Sequence, residues 1–155
     1  TMYGGVAPSR SGARHASIAP YGPFTGSDGE TVFLGLQNER EWPRFCEQVL
    51  DRPELSTDPR FDANAKRVGH RKELDSAIEE VFSTLTASEI VDRLDAAQIA
   101  NARMNGVAEF AEHPQLKARG RGREFQSSVG LIRATTPPAT IDGFSITSLT
   151  TIKAS

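Results

Sequence analysis

The sequence predicts an α+β fold, with short antiparallel strands set against a body of three to five helices, and three observations carry that expectation. β-Branched and aromatic residues concentrate in Thr31–Leu36, directly after an Asp28–Gly29 turn. Apolar residues then recur at helical spacing through Leu74, Ile78, Val81, Phe82 and Leu85. Beyond Gly120, glycines flank two more short extended candidates. Strand, helices, then strands is the order of an α+β chain, not of repeated β–α units.

The bulk properties bound the problem. At 155 residues, with 37% hydrophobic and 25% charged residues, the chain has the size and composition of one globular domain. A formal net charge of -2 provides no general attraction to nucleic acid or to anionic membranes. Cys46 is the single cysteine, so neither an intrachain disulfide nor a cysteine-only zinc site can form, and a reducing cytoplasm is the expected setting. No apolar run approaches the length of about 18 residues that a membrane span requires.

Element by element, residues 1–11 carry Gly4, Gly5 and Pro8 and are expected to be a linker or a truncated strand. Between His15 and Phe24, Pro20 and Pro23 bracket Tyr21–Gly22, which predicts a shaped loop instead of a continuous strand. Ser27–Asp28–Gly29 supplies the turn into Thr31–Leu36, where Gly35 permits close approach by another backbone. Asn38 with Glu41 reads as a capping box opening a helix from Glu39 to Leu50, with Pro43 in its first turn.

Pro53 and Pro59 place a loop over 51–62. A single helix is expected from Ala63 to Thr84, its charged face carrying Asp75, Glu79 and Glu80 into solvent. Thr86–Ala87–Ser88–Glu89 is a further capping box, opening a helix to Ala97. Ile99–Gly106 predicts a turn after a brief extended run, and Val107–Glu112 a short helix that His113–Pro114 ends. Glu124–Ser128 and Leu131–Ala134 predict a hairpin, and the tail from Ile141 a possible strand.

Several blocks then carry a family resemblance. R-H-A-S-I-A-P-Y-G-P-F (Arg14–Phe24), the Asp–Gly turn and strand, E-W-P-R-F-C (Glu41–Cys46), D-P-R-F-D (Asp58–Asp62) and N-G-V-A-E-F-A-E-H-P-Q-L-K-A-R-G (Asn105–Gly120) occur in one order. Together they resemble the small domain of family III CoA-transferases, the family of formyl-CoA transferase, carnitine CoA-transferase and α-methylacyl-CoA racemase. The resemblance covers most of 12–143 and leaves 144–155 as a divergent tail.

It implies that the intact enzyme moves CoA between carboxylic acids through an aspartate of a large domain, with a coenzyme A thioester as substrate. No Asp of this chain matches that nucleophile, so no catalytic residue is assigned here and no cofactor is expected on this chain alone. The implied partners are the missing large domain and a second copy, with self-association through the loop and the apolar side of Val32–Leu36. No nucleic-acid or membrane partner is implied.

The family's glycine-rich covering loop aligns with His15–Gly22, which makes His15, Ser17, Tyr21 and Gly22 the substrate-loop candidates. His15 is able to donate a hydrogen bond to a carboxylate or thioester; the ordinary reading is a polar loop residue. Tyr21 either turns its hydroxyl toward an acyl group or packs on Phe24 or Trp42. Lys117, Arg119, Arg121 and Arg123 form a basic run able to meet CoA phosphates, against the plainer reading of a solvated helix end. Cys46, beside Phe45 and Val49, reads as a buried inert thiol. His70 and His113 lack spaced partners, so no metal site is expected. Two functions follow: part of an acyl-CoA:carboxylate CoA-transferase, inactive by itself, or a non-catalytic binding or structural module that keeps the fold.

Overall fold

A tight turn at Ser27–Gly29 joins β1 (Tyr21–Thr25) to β2 (Thr31–Gly35) as an antiparallel hairpin, in register from Tyr21 opposite Gly35 to Thr25 opposite Thr31. Asp28 explains why the chain turns there. Its Oδ1 accepts the Glu30 N–H at 3.2 Å, while its Oδ2 accepts the Ala87 N–H at 3.0 Å and so ties the hairpin to a later helix. The computed structural model describes residues 10–136 and residue 139. Two units divide the chain, Thr1–Met104 and Asn105–Ser155.

The expectation that Pro20 and Pro23 prevent a strand is corrected: Pro23 lies within β1, opposite Phe33. The sheet order β1-β2-β3 puts β1 at an edge, where the missing N–H of a proline leaves no inner ladder bond unmade. On the other edge β3 (Asn101–Arg103) pairs with β2, so the brief extended run expected near Ile99 becomes the third strand. Alternation along β2 sends Val32 and Leu34 into the core and leaves Phe33 half-buried on the outer face. The apolar side of β2 is therefore core, and the association surface expected at Val32–Leu36 is corrected on that ground.

Helices cover the inner face. α1 (Glu41–Arg44) runs on into one turn of π-helix, Phe45–Val49, in which the Leu50 N–H reaches back five residues to Phe45 O at 3.0 Å. Its start differs from the expected capping box. Asn38 Oδ1 accepts the Arg40 N–H at 3.1 Å, and the Glu41 carboxylate turns back to the Gln37 N–H at 2.6 Å and the Asn38 side-chain amide at 2.8 Å. A 3-10 turn at Pro53–Thr57 follows.

The single helix expected over Ala63–Thr84 is two, α2 (Asn64–Gly69) and α3 (Arg71–Phe82), because His70 leaves helical geometry at φ -104° and ψ 29°. The Leu74, Ile78 and Phe82 stripe survives on α3 and is fully buried, with Phe82 edge-on to Phe24 at 5.9 Å between ring centroids. α4 (Ala87–Ala96) opens with the expected capping box, Thr86 Oγ1 accepting Glu89 N–H at 3.3 Å and Glu89 Oε2 accepting Thr86 N–H at 2.8 Å. Trp42, Phe45, Cys46, Val49, Ile90 and Leu94 belong to the same core.

In the other unit, α5 (Val107–Ala111) and α6 (Pro114–Ala118) precede the expected hairpin of β4 (Gly122–Ser127) and β5 (Gly130–Thr135). Glu112 ties this unit together through Lys117 Nζ at 2.8 Å and Arg133 Nη1 at 3.0 Å. None of its described residues is buried. The strand expected from Ile141 and most of the linker at 1–11 fall outside the described residues.

Candidate functional site

The segment from Arg14 to Pro20 runs without regular structure into β1, and its backbone is held by side chains of α2 and α3. Asn64 Nδ2 donates to Ser17 O at 2.8 Å, and Asn64 Oδ1 accepts the Ala19 N–H at 3.1 Å. Arg67 Nε donates to Ala19 O at 2.8 Å. Arg71 Nη2 donates to His15 O at 2.8 Å and to Ile18 O at 3.1 Å. Backbone groups of four loop residues, His15, Ser17, Ile18 and Ala19, thus find partners without a sheet ladder, which is what a shaped, ordered loop requires.

Arg67 is the centre of this arrangement. It is 2% exposed, donates also to Phe61 O at 2.9 Å and to Glu39 Oε2 at 2.8 Å, and stacks its guanidinium 4.8 Å from the centre of the Trp42 ring. Burial works against ionisation of Glu39, yet the Arg67 guanidinium and the Asn64 N–H together hold its carboxyl below the ordinary value. A cavity of about 220 Å³ opens beside this clamp, walled by Ile18, Asn38, Glu39, Asn64 and Arg67.

Of the loop candidates, His15, Ser17 and Tyr21 are brought together. His15 Nδ1 accepts the Ser17 N–H at 3.2 Å, so a neutral imidazole carries its proton on Nε2, the nitrogen left to donate. The His15 and Tyr21 rings lie 5.2 Å apart, and Tyr21 meets Phe33 edge-on at 5.7 Å. Neither Phe24 nor Trp42, the packing partners expected for Tyr21, takes that place.

Gly35 owes its size to this ring: a Cβ there would sit 2.5 Å from Tyr21 Cδ2, so the close approach is by a side chain and not by another backbone. Gly22 serves Arg14 in the same way, with Arg14 Cγ 2.9 Å from where a Cβ would stand. Arg14 in turn reaches α3. Its Nη1 pairs with Asp75 Oδ2 at 2.9 Å, and the Asp75 side chain is only 13% exposed. Burial pushes the Asp75 carboxyl up, with Arg14 and Arg71 pulling against it. This corrects the solvated face expected for Asp75; Glu79 and Glu80 do face solvent, at 57% and 75% exposure.

Cys46 is fully buried, and desolvation pushes its thiol up to about 12, so it offers no nucleophile. Among the described residues no group of three or more His, Cys, Asp or Glu is placed to hold a metal ion. In the second unit Arg119, Arg121 and Arg123 line one concavity of about 400 Å³, whereas Lys117 is engaged with Glu112.

The sequence reading missed Asn64, Arg67 and Arg71. Their spacing of i, i+3 and i+7 was the available signal, a polar stripe beside an apolar one.

This architecture has close parallels among solved structures. A CAIB/BAIF family protein from Brucella suis superposes with a TM-score of 0.77 at 27% identity, covering 92% of this chain and 36% of that one. The sequence model of CoA-transferase family III matches residues 1–150. The chain belongs to CoA-transferase family III.

Family III relatives include acetyl-CoA:oxalate CoA-transferase of Acetobacter aceti, 35% identical over 115 residues, and human succinyl-CoA:glutarate CoA-transferase, 30% identical over 129 residues. Those matches cover 74% and 83% of this chain, but the chain spans only 29% of the length of each of these two relatives. The α+β fold with short antiparallel strands is the fold that this chain shares with the Brucella suis CAIB/BAIF family protein. Among the described residues no helix is long and apolar enough to cross a membrane.

Proposed function

We propose that this chain acts as the loop-bearing part of an acyl-CoA:carboxylate CoA-transferase, with the His15–Gly22 loop laid against a CoA thioester. The catalytic carboxylate and the rest of the substrate pocket come from the remainder of a family-length protein, which is also its partner, and self-association of that protein completes the enzyme. In this reading the chain alone is inactive, binds no cofactor and works in the cytoplasm. The observation that carries it is the pairing of Ser17 N–H with His15 Nδ1, which frees the opposite ring nitrogen, Nε2–H, to donate to an acyl oxygen.

The clamp gives this donor its value. A hydrogen bond aimed at charge that develops during acyl transfer is effective when its donor is already fixed. Asn64, Arg67 and Arg71 fix the backbone on both sides of Ser17. A covering role through large loop movement has no support in these bonds, and the loop is proposed as a preset wall. The concavity lined by Arg119, Arg121 and Arg123 supports a further role for the basic run, contact with the phosphates of CoA.

The test is a chimera in which residues 12–143 replace the matching segment of the Acetobacter acetyl-CoA:oxalate enzyme. An active chimera whose kcat falls on His15→Ala, with substrate KM little changed, supports the reading. A folded chimera that is active and indifferent to His15→Ala overturns the role of the loop. CoA transfer by this chain alone overturns the claim that its catalytic group lies elsewhere. The alternative, a non-catalytic module, is supported by a folded chimera without activity.

A further inference from the structure

We propose that the cleft between the Arg10–Ala16 segment and the α2–α3 corner is a binding site for a phosphate-type oxyanion. The cleft has a volume of about 590 Å³ and is lined by Arg10, Arg14, His15, His70, Arg71 and Lys72. Four of those six side chains are permanent cations drawn from two separate stretches of chain. Glu73 also lines it, but its carboxylate is already engaged by Arg60 at 3.1 Å and by His70 at 3.3 Å.

The first turn of α3, Arg71–Lys72–Glu73, forms one wall, and no side chain caps this twelve-residue helix. Its leading N–H groups and positive dipole end lie at the cleft, the arrangement that favours an anion. Arg71 brings its positive charge to this wall, while its Nη2 donates to the loop carbonyls of His15 and Ile18.

Arg14 keeps a partner of its own, an ion pair from Nη1 to Asp75 Oδ2 at 2.9 Å, and adds its positive charge to the wall of the cleft.

The chemistry selects the ligand class. One carboxylate satisfies one guanidinium fork, whereas a phosphate group presents more acceptor oxygens and more charge to cations that converge from different directions. Such a group belongs to inorganic phosphates and to phosphorylated carriers alike. The inference rests on this unit alone and does not require the transfer reaction, so the two are separable.

The probe is inorganic pyrophosphate, titrated into the ¹⁵N-labelled chain at low ionic strength and followed by backbone amide shifts. Expected are saturable shifts at Arg71, Lys72 and Glu73, and a Kd weakened about tenfold by the charge reversal Lys72→Glu. Arg10→Glu gives the same readout if Lys72→Glu disturbs the fold. Succinate and CoA serve as parallel arms: binding of CoA with pyrophosphate points to a carrier phosphate, and binding of pyrophosphate alone to a free one. Equal binding of succinate overturns the phosphate assignment. Shifts that never saturate, that centre on Arg119–Arg123, or that ignore both charge reversals overturn the site.

Discussion

The Nε–H of Arg67 donates to the carbonyl oxygen of Ala19 at 2.8 Å, joining a buried helix residue to a loop 48 positions earlier. The same guanidinium serves Phe61 O and Glu39 Oε2. Arg67→Met keeps most of the volume but leaves three acceptors unpaired, and is expected to cost about 3 kcal/mol. Arg67→Lys recovers only part of it, because one ammonium cannot span three acceptors that a planar fork reaches. Urea unfolding measures the loss, and amide exchange over 15–19 locates it. A loss below about 1 kcal/mol for the methionine variant would show that the clamp is not what holds the loop.

Arg14 and Asp75 form a pair whose strength depends on pH. Burial already raises the Asp75 carboxyl, so its ionised form is disfavoured in the folded chain and relies on the nearby cations. Removing Arg14 raises it further. Above the raised value the unpaired carboxylate costs stability in full, and as pH falls through it, protonation removes the cost. Arg14→Ala is therefore expected to lose about 3 kcal/mol at neutral pH and progressively less toward the acid range. Arg14→Ala with Asp75→Asn should recover most of the neutral-pH loss, and urea unfolding across pH decides it.

Gly35→Ala places a methyl group against the Tyr21 ring, 2.5 Å from Cδ2. The ring must move off its edge-on contact with Phe33, at an expected cost of about 2 kcal/mol. Removing the obstacle with Tyr21→Ala should make the alanine at 35 nearly neutral. A double-mutant cycle in thermal unfolding measures this coupling, and strict additivity would contradict it.

Asp58 sits under the Arg60 guanidinium, whose hydrogen bonds hold its carboxyl down from 3.8 to about 2. A carboxyl depressed in the folded state adds stability above its unfolded value, and that contribution is lost as pH falls through the folded one. The stability difference between parent and Asp58→Asn should therefore be constant above about pH 4 and vanish toward pH 2. Paired acid titrations followed by circular dichroism provide the check, and a difference that persists at the acid end would refute the assignment.

What the sequence determined by itself is local or periodic. The Asp28–Gly29 turn, the Thr86–Glu89 capping box, the Leu74–Ile78–Phe82 stripe and the buried Cys46 each follow from neighbours within a few residues, where spacing alone fixes which groups meet. The ordered blocks from Arg14 to Gly120 likewise pointed to CoA-transferase family III, because motif order needs no coordinates. Tertiary structure decided the rest. Pro23 became a strand residue because β1 lies at an edge, and edge position is set by β3, nearly eighty residues later. Asp75 left the solvated face because Arg14 arrives from outside its helix, and no periodicity contains that arrival. The sequence named His15, Ser17 and Tyr21 together, but it hid both that Tyr21 opens a strand and what clamps the segment before it: Arg67 reads as one more charged residue until the fold sets it against the carbonyl oxygens of Ala19 and Phe61.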